Sequence, residues 1–497
     1  MLASVLVSLA LVAAWLIYTR WSDSRRQKLH KLPPGPPGLP IIGNMLQLGP
    51  NPHKSLANLS KTYGPLMLLK LGNQSAVVAS SPEMAKEIFQ KHGHVFSTPF
   101  VPNSVCVHGR GDVSMAMHPA TSDLWKKIRR IYREKLVSNQ ALQASQDLRR
   151  ERLRKLNEYI NTCSGEGLPM NVGESAFTTM LNLIFATLFS IEIIQFGVIQ
   201  NKFEEHVKAI TRYMGVPNVA DFFPVFAPLD PQGLRRKLAH HFGSLLEIVQ
   251  SHIDQRLQER TMPSYHKKSD FLETLLDLSQ GNEYDLSVNE IKNLFVDLIL
   301  AGSDTSAATA EWSMVELILH PDKMEKLKAE LKSVVGEKSI VEESDISRLP
   351  YLQATIKEVF RHHPPAPILC PRVAVDGARV NDYIIPKNAK IFVNVWAIMR
   401  DPSIWNDPES FEPERFLNND INFLGQHLEL IPFGSGRRIC PGLPIANLMF
   451  HSMVATMCHN FDWKLEKGSE SKTLQREEFF GQVLQKKTHL KAIPIKV

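Results

Sequence analysis

The feature that most constrains the fold of this chain is a long segment without proline, LSVNEIKNLFVDLILAGSDTSAATAEWSMVELILH, which runs from residue 286 to residue 320. A helix rises about 1.5 Å per residue, so this segment would form one helix of about 50 Å, enough to cross a whole domain. Its middle is apolar on every side, which is typical of a buried helix. The sequence therefore predicts a large domain built around one central helix.

The rest of the chain indicates a mainly α fold with small β-sheets. Helical periods dominate from residue 122 to residue 335. Residues 67–80 indicate a strand, a glycine turn and a second strand, and residues 378–398 indicate further short strands. No Gly/Ser-rich linker divides residues 41–497, so we expect one large domain there. The net charge of +6 on 497 residues is mild and gives no indication of nucleic-acid binding.

The N-terminus predicts a membrane anchor over residues 1–19 and a basic, proline-rich hinge over residues 20–40. The first eighteen residues carry no charge, which is just enough to span a bilayer as a helix. A cleaved signal peptide is the alternative, but no basic segment precedes the apolar run and no clear cleavage motif ends it. Basic residues follow directly, so we expect a cytosolic domain in which the sequons at Asn58 and Asn73 carry no glycan.

One cysteine of the five stands in an unusual context, the loop FGSGRRICPG from Phe433 to Gly442. The five are odd in number and far apart, which favours neither a disulfide framework nor a CxxC zinc site. A buried helix is predicted after the loop, with Pro441 in its first turn, so Cys440 would lie where the helix dipole favours a thiolate. A lone thiolate without a second cysteine or histidine nearby suits haem iron better than zinc.

The loop fits the pattern F-x-x-G-x-R-x-C-x-G at every position and resembles the cysteine-ligand signature of the cytochrome P450 superfamily, the haem-thiolate monooxygenases. The resemblance extends over nearly the whole chain, and it implies the P450 fold with Cys440 as the axial ligand of haem b. It implies that the haem site also includes these residues: Phe433, Gly436, Arg438 and Gly442 in the loop, Trp125 and Arg129 of W-x-x-x-R, Arg372, and Ala301 and Gly302. From the residues alone, Gly434 and Gly436 can take positive φ and let backbone N–H groups approach the sulfur.

Two further motifs match the family. In AGSDTS the resemblance makes Asp304 and Thr305 an acid–alcohol pair that relays protons during catalysis. A buried threonine can bond the i−4 carbonyl and bend its helix, which would open a groove in the central helix. The pair Glu358 and Arg361 in KEVFR, with Arg415 in FEPERF, resembles a structural Glu-Arg-Arg triad that braces the cysteine loop.

The chain departs from its relatives at a few positions. Lys126 stands where relatives usually carry arginine, and we expect it to keep a positive charge at the haem edge. Pro99 and Phe100 stand where relatives often carry arginine and threonine, and Cys370 stands where leucine is common. These changes can reshape the substrate pocket. Its walls, by resemblance, are residues 105–117, 295–301, 366–369 and 480–483, and they are mostly apolar.

The resemblance implies an NADPH- and O2-dependent monooxygenase at the endoplasmic reticulum membrane, supplied with electrons by a reductase. The basic surface expected to contribute to reductase docking comprises Lys126, Lys127, Arg130, Arg133 and Arg437. Within the plant microsomal type, the chain resembles the subgroup with geraniol 8-hydroxylase and ferruginol synthase, which implies a small apolar terpenoid substrate. A phenolic substrate, a haem-thiolate isomerase or dehydratase, and a non-enzymatic haem carrier are the alternatives. The retained acid–alcohol pair argues against the last two.

Overall fold

The structure is a computed structural model that describes residues 31–197, 202–281, 284–338, 340–466 and 476–497. The predicted anchor, residues 1–19, and residues 20–30 of the predicted hinge lie outside the described residues. From Pro33 onward the proline-rich segment is attached to the domain. The Leu68 N–H donates to the Pro34 carbonyl at 2.8 Å, and the Asn44 side chain donates to the carbonyls of Pro36 and Pro37.

Helices make up most of the described chain. The α-helices are α1 (Met45–Leu48), α2 (Pro52–Tyr63), α3 (Pro82–Lys86), α4 (Asp123–Lys135), α5 (Asn139–Ala144), α6 (Gln146–Glu166), α7 (Val172–Phe189), α8 (Lys202–Met214), α9 (Val219–Phe222), α10 (Leu234–Glu259), α11 (Phe271–Gln280), α12 (Val288–Gly302), α13 (Asp304–Leu319), α14 (Pro321–Val335), α15 (Pro350–His362), α16 (Val395–Ile398) and α17 (Leu443–His459). One π-helical turn covers Glu87–Lys91. Short 3-10 turns cover Asn103–Val105, Arg110–Asp112, Pro224–Leu229, Glu343–Arg348, Pro413–Phe416 and Gly436–Arg438.

The strands are short and form small sheets at the periphery. They are β1 (Leu66–Leu71), β2 (Gln74–Ala79), β3 (Thr98–Pro99), β4 (Met170–Asn171), β5 (Arg372–Val373), β6 (Ala378–Val380), β7 (Tyr383–Ile385), β8 (Lys390–Val393), β9 (Phe461–Leu465), β10 (Glu478–Phe480), β11 (Leu484–Lys486) and β12 (Lys491–Lys496). A five-stranded sheet has the order β1-β2-β8-β5-β3, in which only β2 and β8 are parallel. A three-stranded sheet has the order β4-β12-β9, and β6-β7 and β10-β11 are hairpins. The strand–turn–strand prediction for residues 67–80 is confirmed by the β1-β2 hairpin.

The central helix is buried as predicted, but it is interrupted. Helix α12 ends at Gly302 and α13 begins at Asp304, with Ser303 (φ −82°, ψ −65°) between them. The Ser303 hydroxyl donates to the Ile299 carbonyl and the Thr305 hydroxyl to the Ala301 carbonyl, both at 2.9 Å. Such back-bonding hydroxyls bend helices. The prediction of one continuous helix is therefore wrong at Ser303, and the bend lies next to the AGSDTS motif.

Helix α7 packs against both halves of the central helix and belongs to the same core. Among the described residues it is the one helix long and apolar enough to cross a membrane, but 83% of its most apolar window is buried inside the protein. Its side chains therefore pack in the core, and the fold around it is mainly helical.

Candidate active site

The cysteine loop has a fixed backbone. Gly434 and Gly436 have φ values of +73° and +72°, as the sequence predicts. A Cβ on Gly436 would lie 2.3 Å from the Phe89 carbonyl oxygen, so no other residue fits this close approach. The Cys440 N–H donates to the Phe433 carbonyl at 3.0 Å and closes the loop. The glycine at position 436 is therefore required by the close contact with Phe89.

The helix after the loop begins at Leu443, as predicted from the segment that follows the loop. Its first turn contains Pro444 rather than Pro441, so the placement of Pro441 in the helix is wrong. Burial raises the pKa of the Cys440 thiol, while hydrogen bonds from the Gly442 and Leu443 backbone and the charge of Arg129 act to lower that pKa. Residues 440–442 form the turn that directs these two N–H groups to the sulfur, so the helix can begin only after them.

Two helices present a partly accessible face to the interior. In α17, residues 443–448 are half-buried, whereas residues 449–458 are fully buried. Around the interruption of the central helix, Ala301, Gly302 and Thr305 are accessible, whereas Ile299, Leu300, Ser303, Asp304 and Ser306 are buried. Cys440 is itself partly accessible, although it lies deep enough for burial to raise its pKa. We infer that these residues line one internal cavity.

Three arginines lie near one another beside the cysteine loop, and one of them, Arg129, is close enough to the Cys440 thiol to influence its pKa. Arg129 donates to the Ile439 carbonyl at 2.8 Å, and Arg438 donates to the carbonyls of Ala116, at 3.0 Å, and His118. Arg372 is buried, and its Nε has no hydrogen-bond partner among the described residues. Burial lowers the pKa of Arg438 to about 9, and the charges of Arg372 and Arg129 add to this effect. In the described part of the chain, none of these three guanidinium groups pairs with a carboxylate.

Trp125 lies between two of these arginines. Its ring centroid is 5.8 Å from the Arg129 guanidinium carbon and 5.6 Å from that of Arg438. Lys126 points away from the site. It is exposed and pairs with Asp123 at 3.1 Å, so the expectation that Lys126 keeps a charge at the haem edge is wrong. The physical reason is helical spacing, because successive residues of α4 project about 100° apart.

Glu358, Arg361 and Arg415 meet in one buried cluster. Arg361 forms two parallel hydrogen bonds with Glu358, at 2.8 and 2.9 Å, and the Arg415 Nε donates to the same carboxylate at 3.0 Å. Both arginines also donate to backbone carbonyls between residues 399 and 410. Next to Arg361, Phe360 packs edge-on against Phe433 of the cysteine loop, with ring centroids 5.3 Å apart. The cluster thus adjoins the loop through an aromatic contact.

Asp304 and Thr305 face different surroundings. The Thr305 hydroxyl lies on the accessible face and donates to the Ala301 carbonyl. Asp304 is buried on the other face, where it borders a cavity of about 290 Å³ with Lys208, Glu311 and His489. Burial raises the pKa of the Asp304 carboxyl, and its Oδ2 has no hydrogen-bond partner among the described residues.

No local sequence pattern predicts the charged residues that line this cavity. Lys208 of α8 bridges Glu174 at 2.6 Å and Glu204 at 2.5 Å, and His489 lies 3.1 Å from Glu311. These residues come from distant parts of the chain. Only the charge of Glu311 within the central segment could have indicated a polar neighbour there.

The departures at positions 99, 100 and 370 have different locations. Pro99 is buried in β3 beside Arg372. The Phe100 ring lies under the Lys390 ammonium, 3.9 Å from ring centroid to Nζ. Cys370 is exposed and lies close enough to Arg372 and Cys440 to influence the pKa of both. Pro99 and Cys370 thus both border Arg372, and Cys370 is also close enough to the Cys440 thiol to influence its pKa.

Fold and site together define a mainly helical protein with an interrupted central helix, a thiol in a glycine-rich loop, and three neighbouring guanidinium groups that have no carboxylate partner among the described residues. The family model for Cytochrome P450 matches residues 33–492, and the chain belongs to that family. It is 71% identical to the 11-hydroxysugiol 20-monooxygenase of Salvia miltiorrhiza over 499 residues, which cover 99% of each chain. It is 68% identical to a carnosic acid synthase of Rosmarinus officinalis over 500 residues, again 99% of each. It is 47% identical to the ferruginol synthase of Salvia miltiorrhiza over 493 residues, 99% of this chain and 98% of the relative.

The protein is a cytochrome P450 monooxygenase. Membership of the family implies haem iron with a thiolate ligand, electrons from a redox partner and a small hydrophobic substrate. The residues present fit a haem. Arg372 is a buried cation without a carboxylate partner, which is costly unless an anionic group such as a propionate lies beside it.

Proposed function

We propose that Cys440 is the axial haem ligand and that Arg129, Arg372 and Arg438, with Trp125, hold the haem propionates. The observation that carries this proposal is that three neighbouring guanidinium groups, of which Arg129 lies near the Cys440 thiol, have no carboxylate partner among the described residues. Phe433, Gly436 and Gly442 would shape the loop that carries the ligand. Ala301 and Gly302 would leave room for the haem, because their side chains are small and their positions are accessible.

When bound, a haem with a thiolate ligand supplies the oxidising chemistry that splits dioxygen. The chain's own contribution is to position the substrate and to hold and move protons. We assign proton transfer to Asp304 and Thr305. Buried Asp304 has a raised pKa and borders the polar cavity, while the Thr305 hydroxyl lies on the accessible face of the bend. The pair would thus carry protons from the polar cavity beside Asp304 to the accessible face of the central helix at Thr305.

The reaction we propose is hydroxylation of a diterpenoid, with electrons from NADPH through a reductase. Support comes from the names of the relatives, which include an 11-hydroxysugiol 20-monooxygenase, and from the apolar walls of the predicted pocket. Val105, Phe295, Ile299 and Leu300 are buried hydrophobic members of those walls. An apolar ring system requires such a lining.

We further propose that the chain is anchored in the endoplasmic reticulum membrane by residues 1–19, with residues 20–40 as the hinge and residues 41–497 as the cytosolic haem domain. The basic surface of α4 and the cysteine loop would dock the acidic reductase. Lys126, Arg130 and Arg133 are exposed, as is Arg437. Lys127 contributes less, because its ammonium is held by Glu290 at 2.7 Å.

The test is turnover of 11-hydroxysugiol by the full chain in microsomes with a plant reductase and NADPH, with products read by mass spectrometry. We expect a product heavier by one oxygen atom, which depends on both NADPH and the reductase. A matched incubation without NADPH is the control. No conversion of this compound or of sugiol or ferruginol, by a protein with an intact thiolate–CO spectrum, would exclude the proposed substrate class.

A further inference from the structure

Three histidines meet where helices α8 and α10 pack against each other. His206 belongs to α8, and His240 and His241 are consecutive residues of α10. In the described part of the chain, these three form the group of metal-ligating side chains whose ligand atoms all lie within 4.8 Å of one another. His206 and His241 are 35 positions apart in the sequence, so no local motif indicates the cluster.

The rings of the cluster face one another closely. The Nδ1 atoms of His206 and His241 are 2.9 Å apart. The ring centroid of His240 lies 5.9 Å from that of His206 and 5.1 Å from that of His241. A neutral imidazole has one N–H and one lone pair, so the close pair shares a hydrogen bond only if one Nδ1 is protonated and the other is not. A hydrogen bond requires two rings and gives no role to the third.

The arrangement is close to what a divalent metal ion requires of imidazole ligands. Zinc binds imidazole nitrogen at about 2.0–2.1 Å, which places two nitrogens of a tetrahedral site about 3.3 Å apart. The distance of 2.9 Å between the two Nδ1 atoms is near this value, and small rotations of the rings would reach it. Three histidines with one open position are a ligand set that zinc uses in proteins.

The cluster can be reached from solvent, and a carboxylate lies nearby. His240 is exposed, and His206 and His241 are half-buried. Burial lowers the pKa of both half-buried histidines, and the charge of Glu205 acts in the opposite direction. Glu205 is exposed and precedes His206 in α8. Its carboxylate is therefore near enough to offset part of the charge of a bound cation.

We propose that His206, His240 and His241 form a binding site for a divalent transition-metal ion that prefers imidazole ligands, for which zinc is the representative ion. Imidazole suits zinc, copper and nickel, whereas magnesium and calcium prefer oxygen ligands. The bound ion connects α8 to α10. The site is separate from the proposed haem ligands, and the proposal does not depend on the diterpenoid substrate.

The two helices that the ion connects also carry contacts of other regions. Helix α8 contributes Lys208 and Thr211 to the polar cavity that Asp304 borders. In α10, the carbonyl of Ala239, next to His240, accepts a hydrogen bond from the His108 side chain at 2.7 Å. A metal ion at the cluster therefore restrains one wall of the polar cavity against the helix that holds His108.

The test is zinc binding by the haem-loaded full chain, prepared without an affinity tag so that no added histidines bind metal. After removal of metal by a chelator and dialysis, zinc is titrated against a chromophoric competitor. We expect one zinc ion per chain with a Kd on the order of 1 µM or below, and no competition by magnesium. Zinc K-edge absorption should show nitrogen ligands at about 2.0–2.1 Å and no sulfur at about 2.3 Å.

Single substitutions then assign the ligands. His206→Ala, His240→Ala and His241→Ala should each weaken zinc binding by about tenfold or more, since loss of an outer-shell partner alone costs about 10–100-fold. His240→Ala is the decisive variant, because it removes the third ring and keeps the close pair. His266→Ala is the matched control, since it removes an exposed histidine outside the cluster and should leave the affinity unchanged. All variants keep the five cysteines, so zinc bound by a thiol would remain in each of them.

The outcomes are distinct for the site and for the connection between the helices. No zinc binding by the untagged chain, sulfur ligands, or equal affinity of the unsubstituted chain and His240→Ala would overturn the site. Bound zinc should slow amide hydrogen exchange in α8 and α10 of the unsubstituted chain but not of His240→Ala. Exchange that is unaffected by bound zinc would overturn the connection. None of these measurements uses a substrate, so each result leaves the proposed hydroxylation to its own test.

Discussion

The cysteine loop and the interrupted central helix both belong to the proposed active site, but they are built in opposite ways. The loop, residues 433–442, is fixed by positive-φ glycines, by the contact of Gly436 with the Phe89 carbonyl and by aromatic packing behind Phe433. The central helix is interrupted at Ser303, and it carries Asp304 with an unpaired buried oxygen.

The two regions have different tasks, which are to hold a metal ligand and to transfer protons. A metal ligand must be held in one position, and its supporting contacts must be satisfied before the metal binds. A residue that passes protons must be able to change partners, so it cannot have every hydrogen bond occupied. In this protein the rigid region and the under-satisfied region are two separate parts of the proposed active site.

The largest expected effect is at the loop. Cys440→Ala should abolish the thiolate-type absorption of the reduced CO complex, because the sulfur is the proposed ligand of the iron. Cys370→Ala is the matched control, since Cys370 is a thiol in the same electrostatic neighbourhood, and it should keep that absorption. A normal spectrum from Cys440→Ala would refute the assignment of the ligand.

The next effect concerns the support behind the loop. Glu358→Gln leaves Arg361 buried without its carboxylate partner, and breaking a buried pair costs about 3–5 kcal/mol. We expect a large loss of thermal stability, measured by unfolding followed by circular dichroism, together with loss of bound haem. Asp123→Asn breaks a pair of the same i, i+3 spacing at the surface and should change stability by about 0.5 kcal/mol or less. Equal effects of the two variants would contradict a structural role for the cluster.

A substitution at the bend of the central helix should leave the cysteine loop unaffected. Thr305→Ala removes the hydroxyl on the accessible face, so the protein should retain its haem and its CO spectrum while NADPH consumption exceeds product and peroxide accumulates. Thr309→Ala is the matched control, because Thr309 makes the same back-bond one turn later but is buried. Tightly coupled turnover in Thr305→Ala would count against the proton relay.

The smallest effect is on the polar side of the central helix. Burial, with Glu174 as neighbour, raises the pKa of Glu204 from its ordinary value of 4.5 to about 7. The folded protein therefore holds a proton that the unfolded chain has lost, and stability should fall by about 1–2 kcal/mol as pH rises from 4.5 to 7. Glu204→Gln should flatten this fall in denaturant titrations at several pH values. Glu205→Gln, an exposed neighbour, should leave the slope unchanged.

Much of the architecture can be predicted from local patterns. Periodicity and composition indicate the helical fold, the β1-β2 hairpin and the burial of the central segment, because these depend on the spacing of apolar residues. The cysteine loop can be recognised in the sequence because its residue types recur at fixed positions within ten consecutive residues. The helix from Leu443 and a bend at AGSDTS were predicted, but the position of Pro441 outside the helix and the full interruption at Ser303 were not, because both depend on which backbone groups find partners in the folded chain.

The sequence by itself determined the class of fold, the thiol that stands apart from the other cysteines, and the order of the motifs along the chain. Only the tertiary structure decided which distant side chains meet. It directs Lys126 to Asp123 at the surface, joins Asp297 to Arg110 across 187 positions, and closes the polar cavity behind Asp304 with Lys208 and His489. The physical reason is that the position of a charged residue in the sequence does not determine its role. Its role depends on burial and on the partners that packing brings within hydrogen-bonding distance.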